Sequence, residues 1–149
     1  MTKIYLIRHA EAEGNLYRRI QGHWDGSITA LGLQQIDALA QRFRHEHIDA
    51  LYCSNLSRTR ATAEAITRYH DVPAVATPRL TEICMGVWEG RAWGDVEHEF
   101  PEQMRYFNTD PEKWSVPGGE PIREVQKRMT RAIQDLAARH GGQRAVPER

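Results

Sequence analysis

The chain has 149 residues, 40% hydrophobic and 27% charged, enough for one domain with its own core. Twenty basic residues balance twenty acidic ones, so neither nucleic acid nor an anionic membrane surface is expected as a partner. No apolar run approaches membrane-spanning length, and Ile4–Ile7, with a histidine two residues later, is too short for a signal peptide. Cys53 and Cys84 stand 31 positions apart without metal-ligand spacing, and are expected as reduced thiols of a cytoplasmic protein. Seventeen of the basic residues are arginine. Coding bias is the default explanation; the functional alternative is that some guanidinium forks hold a doubly charged oxyanion.

In chain order, Lys3–Arg8 (KIYLIR) is a continuous apolar run with β-branched residues, predicting a strand buried on both faces. Thr29 then precedes apolar residues at Leu33, Ile36, Leu39, Ala40 and Phe43, the spacing of a helix with Thr29 as its N-cap. Ile48–Cys53 is a second strand. Ser54–Ser57 turns into a helix over 58–69, and Val72–Thr77, bounded by Pro73 and Pro78, is a short third strand. From Leu80 to Pro117 the pattern weakens and aromatics accumulate, with a short helix over 102–108. A Pro-Gly-Gly-Glu-Pro turn at 117–121 leads into a last helix whose stop signal is Gly141-Gly142. Strand–helix alternation of this kind predicts an α/β three-layer sandwich with a mainly parallel sheet, its function collected at the C-terminal ends of the strands.

That rule puts Arg8-His9 at a functional rim. A neutral imidazole there can act as a nucleophile, and the neighbouring arginine can bind and neutralise phosphate. The dipeptide alone is weak evidence. The second strand adds to it, because its polar turn opens a helix with Arg58 and Arg60 in the first turn. Arginine is unfavourable against a helix N-terminus unless an anion compensates. Both strand ends therefore call for an anion.

The series L-I-R-H-A-E-A-E-G-N, Gln21-Gly22, D-G-S-I-T-A-L-G (25–32), S-N-L-S-R-T-R-A-T-A-E and L-T-E-I-C-M-G-V-W-E-G resembles the histidine phosphatase superfamily. The branch in question holds cofactor-dependent phosphoglycerate mutases and related phosphatases. The resemblance runs from residue 3 to about residue 144 and implies one phosphoglycerate mutase-like domain over 1–149. It implies that His9 is the nucleophile, Arg8 and Arg58 the phosphoryl clamp, and Glu82 the general acid. Asn15, Gln21, Gly22 and Arg60 match positions lining the phosphate or substrate pocket, and Gly118-Gly119-Glu120 matches a turn before the last helix. Phosphoryl transfer needs an in-line nucleophile, fixed positive charge and a proton donor, which these residues supply without metal or cofactor. The apolar neighbours Leu80, Ile83 and Met85 suggest tuning of Glu82. Ala10 departs from the glycine common after Arg-His. Trp88 and Trp93 are expected in packing rather than as a pocket wall.

The family also carries a second active-site histidine on a strand after the last helix. This sequence instead reads Ala145-Val146-Pro147-Glu148-Arg149 and ends. The expectation is thus a domain incomplete at its C-terminus, lacking that strand, with Lys3–Arg8 left unpaired. Self-association into a homodimer is one way to fill such a gap. Arg139-His140-Gly141 repeats the nucleophile tripeptide but reads as a helix C-cap. The function expected is hydrolysis of a small phosphorylated metabolite through phosphohistidine, impaired in this short form. A phosphoglycerate mutase and an inactive phosphate-binding remnant are the alternatives.

Overall fold

A computed structural model describes residues 2–141. A single helical turn, α1 (Glu13–Leu16), comes first and is capped from within: Ala12 N–H donates to Asn15 Oδ1 at 3.0 Å. The next helix, α2 (Ala30–Phe43), starts where the sequence places it, with Thr29 Oγ1 accepting from Gly32 N–H at 3.0 Å. It buries Ile36, Ala40 and Phe43 of the predicted stripe, with Leu39 half-buried and Leu33 exposed.

Strand β1 (Leu51–Cys53) and strand β2 (Ala74–Ala76) run parallel, Leu51 opposite Ala74 and Cys53 opposite Ala76. Between them α3 (Ser57–Thr67) packs on both strands and against α2. The strands are shorter than the predicted spans. Pro73 and Pro78 have no N–H to extend the ladder, and Thr77 N–H to Cys53 O (2.9 Å) is its last rung.

The predicted strand over Lys3–Arg8 does not form. Among the described residues, no backbone–backbone hydrogen bond involves residues 2–9. A strand exists only as half of a pair, and apolar sequence alone cannot supply the partner. Leu6 is accordingly 94% exposed and Ile4 58%. Tyr5 anchors the segment instead: its hydroxyl donates to Glu46 Oε2 at 2.5 Å and its ring stands edge-on to Phe43. The class remains α/β, but among the described residues the sheet has two strands. The predicted tail at 145–149 and Gly142 lie outside the described residues.

The weakly patterned region builds a second core from short pieces. These are 3-10 turns at Pro78–Leu80 and Gly86–Trp88, then α4 (Trp93–Glu99) and α5 (Pro101–Thr109). Trp88 is fully buried among Ile20, Met85, Val96, Met104, Trp114 and Val125, and Phe107 and Trp114 meet its ring edge-on. Its periodicity is unreadable because burial comes from many short elements rather than one stripe. The last helix, α6 (Ile122–Arg139), contributes Val125 to this core. It ends with His140 as C-cap, and His140 Nε2 lies 2.9 Å from the Tyr52 hydroxyl, so Arg139-His140-Gly141 closes a helix.

Candidate active site

His9 and Ala10 are held against α3 by one hydroxyl. Thr62 Oγ1 accepts from Ala10 N–H at 3.0 Å and donates to Arg58 O at 2.7 Å. The Ala10 methyl packs with Ile36, Ala40 and Ala65, so the departure from glycine fills core space here. His9 Nδ1 donates to Ala10 O at 2.7 Å. A carbonyl can only accept, so Nδ1 carries the proton and the Nε2 lone pair is left for attack. Burial lowers the His9 pKa below 6.5, and the positive charges of Arg58 and Arg8 push the same way. The Ala10 carbonyl and Glu82 oppose them. The net effect favours the neutral, nucleophilic ring.

One cavity of about 420 Å³ collects the predicted residues. Arg8, His9, Asn15, Gln21, Gly22, Arg58 and Glu82 all line it, although they come from five separate stretches. Arg58 is 1% exposed. Its Nη2 donates to Gly22 O at 2.8 Å and Nη1 to Trp24 O at 3.0 Å, while its buried Nε has no hydrogen-bond partner. Gln21 Oε1 is likewise buried and unpartnered. Among the described residues the indole Nε1 atoms of Trp88 and Trp114, in the second core, are also buried without a partner; the two at the cavity are the ones a ligand can reach. Burial lowers the Arg58 pKa, opposed mainly by Asp25, but guanidinium remains charged at any ordinary pH.

Two glycines make the geometry possible. A Cβ on Gly14 would lie 2.1 Å from Gln21 Cγ, so only glycine lets Gln21 pack beside α1. Gly22 has φ +51°, and its Cβ would meet Glu89 Oε1 at 2.6 Å.

Other placements differ from the sequence reading. Arg60 lies outside the cavity, exposed and 3.9 Å from Glu64. Two residues along a helix is about 200° around it, so Arg58 and Arg60 face apart. Part of the anionic compensation at the α3 N-terminus is internal: Asp25 accepts from Ser57 N–H at 2.8 Å and Ser57 Oγ at 2.7 Å. Glu82 is exposed, whereas Ile83 and Met85 turn into the second core, so its apolar neighbours do not enclose it. Trp88 is core, as expected, but Trp93 and Phe107 form an apolar wall of the cavity.

Arg18 and Arg19 also line the cavity and were not singled out from sequence. Arg19 Nη1 donates to Gly90 O at 2.6 Å, and Arg18 sits at φ +52° in a turn whose carbonyl accepts from Trp93 N–H. A side chain in the left-handed region is the signal that could have marked this turn, but φ is not written in a sequence. Among the described residues, His23, Cys84 and Glu89 bring metal-ligating atoms within 4.8 Å of one another. All three are already engaged: Glu89 Oε1 accepts from the His23 and Met85 amides, His23 Nε2 donates to Glu82 O, and Cys84 Sγ donates to Gly118 O.

A half-buried histidine with a free Nε2, in a cavity with a buried arginine, is a phosphoryl-binding arrangement. The family model described as histidine phosphatase superfamily (branch 1) matches residues 4–146. The chain belongs to the histidine phosphatase superfamily. Within the superfamily it is 34% identical over 146 residues to phosphoserine phosphatase 1 of Hydrogenobacter thermophilus, covering 98% of this chain and 69% of that protein. It is 35% identical over 133 residues to a Yersinia pestis protein named "Probable phosphoglycerate mutase GpmB", covering 89% and 62%. Among solved structures, Bacillus stearothermophilus YhfR superposes with a TM-score of 0.85 at 32% identity, covering 91% of this chain and 67% of that one. The α-ribazole phosphatase of Shigella flexneri gives 0.80 at 28%, with coverage of 91% and 67%. The chain thus spans about two thirds of the length of these superfamily members.

Proposed function

We propose that the chain is a phosphomonoesterase that hydrolyses a small phosphorylated metabolite in the cytoplasm through a phosphohistidine on His9. The observation that carries the reading is His9 with Nδ1 bonded to the Ala10 carbonyl, lining a cavity that also holds a buried arginine with an unpartnered Nε. His9 Nε2 attacks phosphorus as the ester P–O bond breaks, and Glu82 gives its proton to the departing alkoxide. Arg8 and Arg58 hold the equatorial oxygens, with Asn15, Gln21 and Gly22 lining the rest of the pocket. Water then attacks phosphohistidine, Glu82 takes its proton, the P–N bond breaks, and inorganic phosphate leaves.

Hydrolysis is preferred to mutase chemistry because the mouth of the cavity is wet: Arg8, Arg18, Arg19 and Glu82 are all exposed. A mutase must shelter phosphohistidine from water until it is passed back.

Release of inorganic phosphate from an aryl phosphate by the wild-type chain, abolished in His9→Ala, supports the reading. Isomerisation of phosphoglycerate without phosphate release supports the mutase. Phosphate binding with neither activity leaves the non-catalytic alternative.

A further inference from the structure

The loop that carries Glu82 is gripped from behind by one side chain of α6. Arg128 Nη1 donates to Thr81 O at 2.6 Å and to Arg79 O at 3.3 Å, and Nη2 donates to Glu82 O at 3.2 Å. The other edge of the guanidinium is forked onto Glu120, Nε to Oε1 at 2.7 Å and Nη2 to Oε2 at 2.8 Å. Glu120 closes the ring: its Oε2 accepts from Cys84 N–H at 3.4 Å and its own N–H donates to Cys84 O at 2.8 Å.

The carboxylate of Glu82 is secured far less well. It accepts from the next residue's amide, Ile83 N–H, at 2.9 Å, and the side chain is exposed. Residues 81–84 belong to no helix or strand, so no backbone ladder fixes Glu82. The buried Thr81 and Ile83 seat the loop, and His23 Nε2 also donates to Glu82 O at 2.9 Å. Arg128 is the side chain that ties the Arg79, Thr81 and Glu82 carbonyls together. Arg128 does not line the His9 cavity. It lines a separate one with His23, Cys84 and Glu120.

We propose that Arg128, locked by Glu120, is a positioning residue that sets the backbone at 81–82 and thereby aims the Glu82 carboxyl at the leaving-group oxygen. This rests on the role given to Glu82 above. Only a planar fork does this, because three carbonyls and a carboxylate are reached at once from one rigid group; a lysine ammonium offers a single point. The hydrogen bond from Arg128 holds the Glu120 carboxyl below its ordinary range, so the lock stays ionised through neutral pH.

The test is kcat/KM for phenyl phosphate and for 2,4-dinitrophenyl phosphate, in wild type and Arg128→Gln. Phenolate needs a proton as it leaves, whereas dinitrophenolate departs without one. A residue acting through a proton donor therefore matters for the first ester alone. The expected result is a fall of about tenfold or more for phenyl phosphate and no more than about threefold for the dinitrophenyl ester. Equal losses on both overturn the proposal, because a general structural role would not tell leaving groups apart. Hydrogen exchange at the Ile83 amide reads the placement without turnover: it accelerates in Arg128→Gln, and unchanged protection overturns the proposal. If wild type hydrolyses neither ester, the phosphatase reading falls and Ile83 exchange alone decides the placement. Should Arg128→Gln not fold, Arg128→Lys, which keeps the charge and loses the fork, takes the same two measurements.

Discussion

At the scale of single residues, the His9 environment sets a pH dependence with a definite sign. Burial first, then Arg58 and Arg8, hold its pKa below 6.5, so the ring stays neutral to more acidic pH than an ordinary histidine. The acidic limb of kcat/KM should therefore fall below 6.5. Arg8→Gln removes one of the two charges that depress it and should move the limb upward, whatever else it does to the rate. Arg58 makes the opposite kind of prediction, on stability. Its removal strands the carbonyls of Gly22 and Trp24 and leaves Asp25 without its cation, so Arg58→Met should cost about 3 kcal/mol in urea unfolding. The residue types at the cavity were legible in the sequence because phosphoryl transfer demands few of them, in few chemical roles. Arg60 was not separable from Arg58 by type, only by helical phase. Arg18, Trp93 and Phe107 reach the cavity through turns and packing that no local pattern encodes.

Among elements, α2 begins at the cap its sequence marks and buries Ile36, Ala40 and Phe43, though Leu33 of the same stripe stays exposed. Thr29→Ala should cost about 1 kcal/mol, seen as a lower Tm, since it removes the acceptor for Gly32 N–H at the start of α2. Gly14→Ala tests how α1 serves the cavity. The new methyl displaces Gln21, and inorganic phosphate should inhibit about tenfold more weakly. The 3–8 segment was the misreading at this scale, and its cause is physical. Apolar, β-branched sequence gives a strand its preference, but a ladder needs donors and acceptors on a neighbour, and among the described residues none faces it. The short strands at 51–53 and 74–76 were placed by their flanking prolines and turn residues, and were overextended because pairing rather than hydropathy ends a strand.

In the whole molecule two cores divide the work. One, around Ile36, Ala40 and Ala65, backs the His9 segment; the other, around Trp88, carries the loop with Glu82. The order of motifs along the chain made the family readable, but not this division, because the region after Leu80 packs through scattered aromatics. Trp88→Ala should destabilise by about 3–5 kcal/mol and so loosen the Glu82 side of the cavity first. In the proposed reaction every later step depends on His9 accepting a phosphoryl group. Its most direct test is to mix the 149-residue chain with an excess of an activated aryl phosphate, quench in base, and measure the intact mass and the acid lability of any adduct. The prediction is one phosphoryl group per chain, stable in base, lost in acid and absent from His9→Ala. No adduct on the wild-type chain, or an adduct that survives in His9→Ala, would contradict it.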